Sequence, residues 1–251
     1  MVNFVGAGCG AADLITVRGK TLIEQADVII YAGSLVNPQL LEYAKKDCQI
    51  HNSAHMTLEQ VIDVIKAAEH EKKMTVRLHT GDPSLYGAIR EQMDRLDELG
   101  IKYDICPGVS SFCGAAAALR AEYTLPDVSQ TVIITRMAGR TPVPEKESIA
   151  ALAAHNATMV IFLSTGLLKE LSAELIRGGY KPDTPAAIVY KASWADQKVC
   201  RCTVEDLAQT AADNGITKTA LICVGYFLGN DYSLSKLYDK SFETEFRKAE
   251  I

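Results

Sequence analysis

Asp82 is the residue most suggestive of chemistry, because it stands in the sequence Thr80-Gly81-Asp82-Pro83 directly after the apolar run at residues 74–78. A strand that ends in such a turn presents unpaired backbone groups and one carboxylate at its carboxyl end, where open α/β sheets bind ligands. Pro83 fixes its own φ and disfavours helical geometry at Asp82. We therefore predict a small-molecule site here, suited to a ligand with hydroxyl or ammonium donors.

A glycine cluster at residues 6–11 is the second candidate, since G-x-G-x-x-A after a strand is typical of a dinucleotide-binding turn. Two features favour another role. The second predicted strand ends at Tyr31 without an acidic residue to hold a ribose, and the helix after the turn begins late, at Leu14. Glycines that only permit a tight turn beside a partner loop are a further alternative.

Other reactive side chains have simpler interpretations. His51 and His55 have metal-ligand spacing only in a helix, whereas the residues between them favour a loop. Cys200 and Cys202 alternate on a predicted strand with both thiols on one side, where a metal or redox role is a minor alternative. Trp194, at a strand end, is expected either to pack in the protein or to contact a ligand. We predict no metal site.

Composition narrows the class of protein. The 251 residues, of which 48% are hydrophobic, are enough for one large or two medium α/β domains. The net charge is −5. No basic stripe suggests nucleic-acid binding, and no apolar run is long enough to span a membrane. Met1 leads into a strand rather than a signal peptide, and seven scattered cysteines are typical of reduced thiols. A cytoplasmic protein is expected.

Strand and helix patterns alternate along residues 1–125, as in a parallel sheet. Thr57 and Gln60 form a capping-box pattern before an apolar helix face. Ser110 and Ser111 are placed to cap an alanine-rich helix. We predict strands at 2–5, 28–31, 74–78 and 103–106, and helices at 14–25, from 57 onward, at 84–99 and at 111–121.

Residues 123–130 lose this periodicity and contain a proline, which marks a linker. We therefore predict an N-terminal α/β domain over residues 1–125 and a C-terminal α/β domain over 126–251. Two such lobes imply a ligand cleft between them. In the second lobe, residues 198–203 have the pattern of one arm of an antiparallel pair. The predicted strands there are 131–135, 159–163, 186–190, 198–203 and 220–224, and the helices are 145–155, 167–177 and 204–214.

The order and spacing of several segments resemble the tetrapyrrole (corrin and porphyrin) methylase family over essentially the whole chain. The segments are GAGCGAADLITVRG (6–19), ADVIIYAGSLV (26–36), RLHTGDPSLYG (77–87) and PGVSS (107–111). QTVIITRMAGRTPVPE (130–145) and VYKASWADQKV (189–199) look most like members that methylate ring carbon 11 of precorrin-4. Cys9 departs from the family pattern, which commonly has proline there.

The resemblance implies two α/β domains with S-adenosylmethionine folded into the cleft between them and S-adenosylhomocysteine as a product. It also implies a homodimer. The sulfonium methyl is already activated, so alignment and desolvation suffice and no nucleophile is required. No general base stands out in the sequence. The cofactor contacts that the resemblance implies are Thr80, Gly81, Asp82, Ser110, Ser111, Ser164, Ala192 and Ala220.

A tetrapyrrole is the implied substrate, and we predict that Gly8, Tyr86, Arg136 and Arg140 bind it. The family's substrates carry acetate and propionate groups, which guanidinium binds bidentately. A solvated loop is the alternative for the two arginines. Two other functions remain open: methylation of another corrin position or of uroporphyrinogen, and a regulator that binds the cofactor without catalysis.

Overall fold

The computed structural model describes residues 1–249 and divides them into two compact units, each built on a five-stranded sheet. The first unit comprises residues 1–115 together with 191–197, and the second comprises residues 116–190 and the described residues from 198 onward. The α/β class predicted from the sequence is confirmed. A division into domains at residue 125 stays a prediction.

All strands of the first sheet run parallel, as the alternating pattern predicts. Their spatial order is β3-β2-β4-β1-β5. Strand β3 was not predicted, because its residues QIHN are largely polar and partly exposed at the edge of the sheet. The strands are β1 (Val2–Gly6), β2 (Val28–Tyr31), β3 (Gln49–Asn52), β4 (Thr75–His79) and β5 (Tyr103–Cys106).

Helices cover both faces of this sheet. Phe4 belongs to the same buried cluster as Ile65 of one helix and Leu96 of the next, whereas Val5 points to the opposite cluster with Ile23. The predicted capping box at the start of the second helix is present. The helices are α1 (Val17–Gln25), α2 (Leu58–His70), α3 (Arg90–Glu98) and α4 (Ser111–Leu119).

Two predicted helix starts in the first unit are wrong. Helix α3 begins at Arg90 rather than at residue 84, because Tyr86 and Ala88 have φ values of 56° and 49°, which a right-handed helix cannot contain. Helix α1 begins at Val17 rather than at residue 14, since a short 3-10 turn comes first and Thr16 caps the helix.

The second sheet is mixed, with the order β6-β7-β10-β8-β9. Only the β6–β7 pair is parallel, and the antiparallel arm predicted at residues 198–203 is confirmed by its pairing with β8. The strands are β6 (Val132–Arg136), β7 (Thr158–Phe162), β8 (Pro185–Tyr190), β9 (Lys198–Thr203) and β10 (Ala220–Val224).

The second unit packs its helices on one buried cluster that includes Met159, Leu171 and Ile222. The helix predicted at 145–155 is shorter, because a 3-10 turn at Glu145–Glu147 replaces its first residues, and the helix predicted at 204–214 begins only at Leu207. The helix predicted at 167–177 has its expected length and is shifted by one residue. None of the helices within residues 1–249 combines the length and apolar content needed to cross a membrane. The helices of this unit are α5 (Ile149–Ala153), α6 (Leu168–Gly178) and α7 (Leu207–Asp213).

Candidate functional site

The turns after β1 and β4 are joined at the carboxyl edge of the first sheet. The backbone N–H of Ala7 donates to the His79 carbonyl at 2.7 Å. Gly8 and Gly81 then exchange two backbone hydrogen bonds, of 3.2 and 3.0 Å. The glycine turn and the Thr80-Gly81-Asp82 turn, which were predicted as separate motifs, therefore form one structure.

Glycines allow three strand ends to meet here without side chains between them. A Cβ on Gly6 would lie 2.6 Å from both the Gly108 Cα and the Gly81 carbonyl oxygen, and one on Gly108 would lie 2.2 Å from that oxygen. A Cβ on Gly81 would instead meet its nearest neighbour, the backbone nitrogen of Ser111, at 3.5 Å. The strand ends are thus closely packed, while the side of Gly81 that faces Ser111 has room for a small group.

Asp82 is held by three donors from the surrounding turns. One carboxylate oxygen accepts the Gly108 N–H at 2.8 Å, and the other accepts the Ser84 N–H at 2.9 Å and the Ser84 hydroxyl. Burial would raise the pKa of Asp82, but the hydrogen bonds from Ser84 and Gly108 outweigh it and hold the pKa below its ordinary value. The carboxylate is therefore ionised at neutral pH and shapes the turn.

The predicted serines stand at the start of α4, beside Gly81. Ser110 is buried and its carbonyl accepts the N–H of Cys113 at 3.0 Å, while Ser111 is half-buried. A Cβ on Gly81 would lie 3.6 Å from the Ser110 Cα. The structure thus brings together the predicted residues of the two motifs, which are Thr80, Gly81, Asp82, Ser110 and Ser111.

Residues 191–197, which connect β8 to β9, form the interstrand segment and belong to the first unit. Ala192 is buried there, and its Cβ lies 3.4 Å from where a Cβ on Gly114 would stand. The Ser193 hydroxyl accepts the backbone N–H of Ala11 at 2.9 Å. Ala192 therefore joins the predicted residues of this unit, whereas Ser193 was missed because its contact with Ala11 spans 182 positions of sequence.

The other predicted residues lie at one edge of the second sheet. Ser164 is fully buried, where its hydroxyl donates to the Phe162 carbonyl at 2.7 Å and accepts the Met137 N–H at 2.9 Å. Ala220 begins β10, and its carbonyl accepts the Thr165 hydroxyl at 3.2 Å. These contacts tie the ends of β6 and β7 to the start of β10.

The two predicted arginines differ in their surroundings. The Arg136 guanidinium donates to the carbonyls of Met137, Thr141 and Pro142, at 3.1, 3.2 and 2.7 Å, and so closes the loop that carries Arg140. Arg140 is exposed and makes no hydrogen bond or ion pair with any part of the chain that the structure describes. Arg140 is accordingly the arginine whose donors are available to an anion.

Two buried polar residues of β4 were not predicted. Arg77 donates to the Gln92 side chain at 2.9 Å and to the Ile30 carbonyl at 3.0 Å, and burial lowers its pKa to about 10. Burial and, secondly, the Arg77 charge lower the pKa of His79 to about 3. Gln92 also donates to the Ala88 carbonyl at 2.9 Å. This network anchors the 83–89 loop, which exposes Tyr86.

The residues considered for metal binding are not grouped for it. Among residues 1–249, no three His, Cys, Asp or Glu side chains are placed to hold an ion. His51 lies in β3, and His55 lies in the short 3-10 turn that follows. Cys200 and Cys202 pack against the core of the second unit, and burial raises the pKa of Cys202 to about 11.

Comparison with known proteins gives concordant matches. The family model for tetrapyrrole (corrin/porphyrin) methylases matches residues 1–208. The cobalt-precorrin-4 C(11)-methyltransferase of Methanocaldococcus jannaschii is 57% identical over 249 residues, which cover 99% of this chain and 96% of that protein. The precorrin-4 C(11)-methyltransferase of Pseudomonas aeruginosa is 45% identical over 250 residues, covering 99% of each.

A solved structure agrees with these sequence matches. It is the X-ray structure of a cobalamin biosynthetic enzyme, cobalt precorrin-4 methyltransferase, which is 47% identical in sequence. The two structures have a TM-score of 0.89, and the match covers 91% of this chain and 96% of that one. Both the fold and its elements are therefore shared over nearly the full length.

Proposed function

This chain belongs to the tetrapyrrole (corrin/porphyrin) methylases, and on that premise we propose that it transfers a methyl group from S-adenosylmethionine to ring carbon 11 of cobalt-precorrin-4 in cobalamin biosynthesis. The observation that carries this proposal is the 57% identity, over almost the entire chain, to a protein named for that reaction. The cobalt-containing substrate is preferred because two relatives named for cobalt-precorrin-4 are 57% and 48% identical, whereas relatives named for precorrin-4 are 39% to 46% identical.

The chemistry at the edge of the first sheet fits S-adenosylmethionine. Gly81 leaves space beside the backbone of Ser110 and Ser111, where a small ligand group can reach backbone N–H donors at the first turn of α4. The neighbouring Ala192 is small, and Asp82 supplies a negative charge close to the turn. The residues proposed to bind the cofactor are Thr80, Gly81, Asp82, Ser110, Ser111 and Ala192 and, from the family resemblance alone, Ser164 and Ala220.

S-adenosylmethionine supplies a methyl group already activated on a sulfonium, so the protein need not provide a nucleophile. The residues of this chain bind and orient the two reactants and exclude water from them. Rigid turns suit that task, and the Gly8–Gly81 and Asp82–Gly108 hydrogen bonds make these turns rigid. His79 is neutral and buried, and we assign no catalytic acid or base.

We propose that Gly8, Tyr86 and Arg140 bind the substrate. Arg136 supports this binding by holding the loop at residues 137–142, which carries Arg140, through its hydrogen bonds to that loop's carbonyls. Arg140 has its guanidinium donors available for a carboxylate of the tetrapyrrole, which is the best partner for that planar group. Tyr86 is exposed in a loop of left-handed backbone that the Gln92 contact holds in place. Cobalt, where present, belongs to the substrate.

The decisive experiment is anaerobic incubation of the pure protein with labelled S-adenosylmethionine and either cobalt-loaded or metal-free precorrin-4. We expect the tetrapyrrole to gain the mass of one methyl group at ring carbon 11, faster on the cobalt-loaded form. Uroporphyrinogen serves as the control substrate. Faster methylation of uroporphyrinogen would contradict the assignment to carbon 11, and cofactor binding without any turnover would indicate a regulator.

We also propose a cytoplasmic homodimer, from the family resemblance and from the composition. Light scattering after size exclusion would then give about twice the 27.3 kDa of the chain. A mass equal to that of one chain at micromolar concentration would contradict the dimer.

A further inference from the structure

The interstrand segment holds the glycine turn by a hydrogen bond whose acceptor is itself fixed. The Ser193 hydroxyl accepts the Ala11 N–H at 2.9 Å and lies 3.4 Å from the Cys9 sulfur. The backbone N–H of Ser193 donates to the Gln197 side chain at 2.7 Å, within the same segment. The backbone that carries the Ser193 hydroxyl is therefore itself held in place by the hydrogen bond to Gln197.

The segment keeps a conformation that its residue types disfavour. Lys191 and Ser193 have φ values of 44° and 65°, in the left-handed region that non-glycine residues rarely occupy. The Lys191 ammonium pairs with Asp196 at 2.6 Å and lies 5.5 Å from the centre of the Trp194 ring. Strained residues of this kind cluster at functional sites, where neighbouring contacts keep them in place.

Trp194 lies directly against the glycine turn. A Cβ on Gly10 would fall 2.3 Å from the Trp194 Cδ1 atom, so no other residue fits at position 10 without movement of the ring or the turn. The Asn37 side chain also donates to the Gly10 carbonyl, at 2.9 Å. The conformation of the turn thus depends on three side chains from outside it: Asn37, Ser193 and Trp194.

We propose that Ser193 is a positioning residue for the tetrapyrrole: by accepting the Ala11 N–H, it holds residues 8–11 in the shape that receives the substrate, while Trp194 covers Gly10. This inference rests on the proposed function, because Gly8 is assigned to the substrate there. If this hydrogen bond only stabilised the fold, its loss would weaken the binding of both ligands to a similar extent. The Ser193 bond is made at Ala11, three residues beyond the Gly8–Gly81 bridge that joins the turn to the proposed cofactor residues, so its loss should affect the tetrapyrrole more than the cofactor.

Two variants separate the hydrogen bond from the backbone strain. Ser193→Ala removes the hydroxyl and keeps the strain, whereas Ser193→Gly removes the hydroxyl and relieves it. Ser148→Ala is the matched control, because its hydroxyl likewise accepts a backbone N–H, that of Ala151, at the start of α5. For each protein we would measure the KM for tetrapyrrole, kcat, the S-adenosylmethionine Kd and the melting temperature.

We expect both Ser193 variants to raise the tetrapyrrole KM by about five- to tenfold, the equivalent of one lost hydrogen bond, with kcat and the cofactor Kd nearly unchanged. The Ser148→Ala protein should keep the wild-type KM. An unchanged KM in both Ser193 variants would overturn the proposal. A normal KM in Ser193→Gly alone would also overturn it, since strain rather than the hydrogen bond would then explain the effect.

Trp194 gives a readout that does not require turnover, because it is the only tryptophan of the chain. Titration with the tetrapyrrole should change its fluorescence, and the Ser193 variants should shift the midpoint by the same five- to tenfold as the KM. Binding without methyl transfer in the wild-type protein would refute the proposed function but leave this test intact. A fluorescence midpoint that is equal in wild type and variants would refute the role of Ser193.

Discussion

The Asp82 carboxylate accepts the backbone N–H of Gly108 at 2.8 Å and thereby joins the turn after β4 to the turn after β5. The two strands are not neighbours, since β1 lies between them in the sheet. A hydrogen bond from a charged acceptor is stronger than one between neutral groups, and this one spans 26 positions of sequence. One side chain therefore sets the relative position of two motifs proposed to bind the cofactor.

We predict that Asp82→Ala weakens S-adenosylmethionine binding by about 1–3 kcal/mol, because the variant leaves the Gly108 N–H without its partner and loosens both turns. Isothermal titration calorimetry measures the affinity, and circular dichroism checks the fold. Asp63→Ala is the control, because Asp63 is exposed on α2 and, among the residues that the structure describes, forms only a long ion pair with Lys66. Unchanged affinity in a folded Asp82→Ala protein would remove Asp82 from the site.

Arg140→Ala should raise the KM for the tetrapyrrole while the affinity for S-adenosylmethionine stays nearly constant. Arg140 has no partner within residues 1–249, so its removal costs the fold little. Salt screens an exposed ion pair, so the advantage of the wild type over the variant should shrink as ionic strength rises. Steady-state kinetics at two salt concentrations tests this, with the exposed Arg177→Ala as control. Equal losses for both ligands would instead indicate a structural role.

Gly8→Val should abolish methyl transfer before it abolishes cofactor binding. Gly8 has a φ of +80°, and a Cβ there would lie 2.9 Å from the Leu14 carbonyl oxygen, so the turn must move. Gly100→Val isolates the cost of the backbone, because Gly100 has a φ of +64° and nothing within 4 Å of its Cβ position. NAD, NADP and FAD should show no binding at millimolar concentration. Saturable NAD binding that Gly8→Val abolishes would restore the dinucleotide interpretation.

The free energy of unfolding should decrease as the pH falls, and part of this decrease should come from His79. Burial and, secondly, the Arg77 charge lower the pKa of His79 from 6.5 to about 3. Between these two pH values His79 is protonated in the unfolded state and neutral in the folded state. The contribution of His79 is therefore complete above pH 6.5 and is lost between there and pH 3, at up to about 1.4 kcal/mol per pH unit.

Urea denaturation from pH 7 to pH 4 tests this dependence. His79→Phe preserves an aromatic ring beside Phe4 and removes the titration, so its free energy of unfolding should fall less steeply with acid than that of the wild type. His155→Gln, at an exposed position, should leave the slope of the wild type unchanged. Parallel slopes in His79→Phe and wild type would contradict a buried neutral histidine.

Local sequence patterns were sufficient for the elements whose causes are local. The apolar runs of β1, β2 and β4, the Pro107-Gly108 turn that ends β5, and the capping box at Thr57 depend on residues near one another in the chain, and the structure contains each of them. The polar edge strand β3 gave no such pattern, because it is stabilised by pairing with β2 rather than by its own burial. Helix α3 starts late because the Asp82–Ser84 and Gln92–Ala88 contacts favour a strained turn over helical propensity.

The sequence alone determined the family, the two-sheet α/β class and the motifs of the candidate site, since each is encoded in short segments with characteristic order. The tertiary structure decided how those motifs meet. The Gly8–Gly81 bridge, the Asp82–Gly108 bond and the Ser193–Ala11 bond join residues separated by tens to nearly two hundred positions. No periodicity reports such contacts, because they depend on strand order and on the close approach of backbones that only the packed sheet brings about.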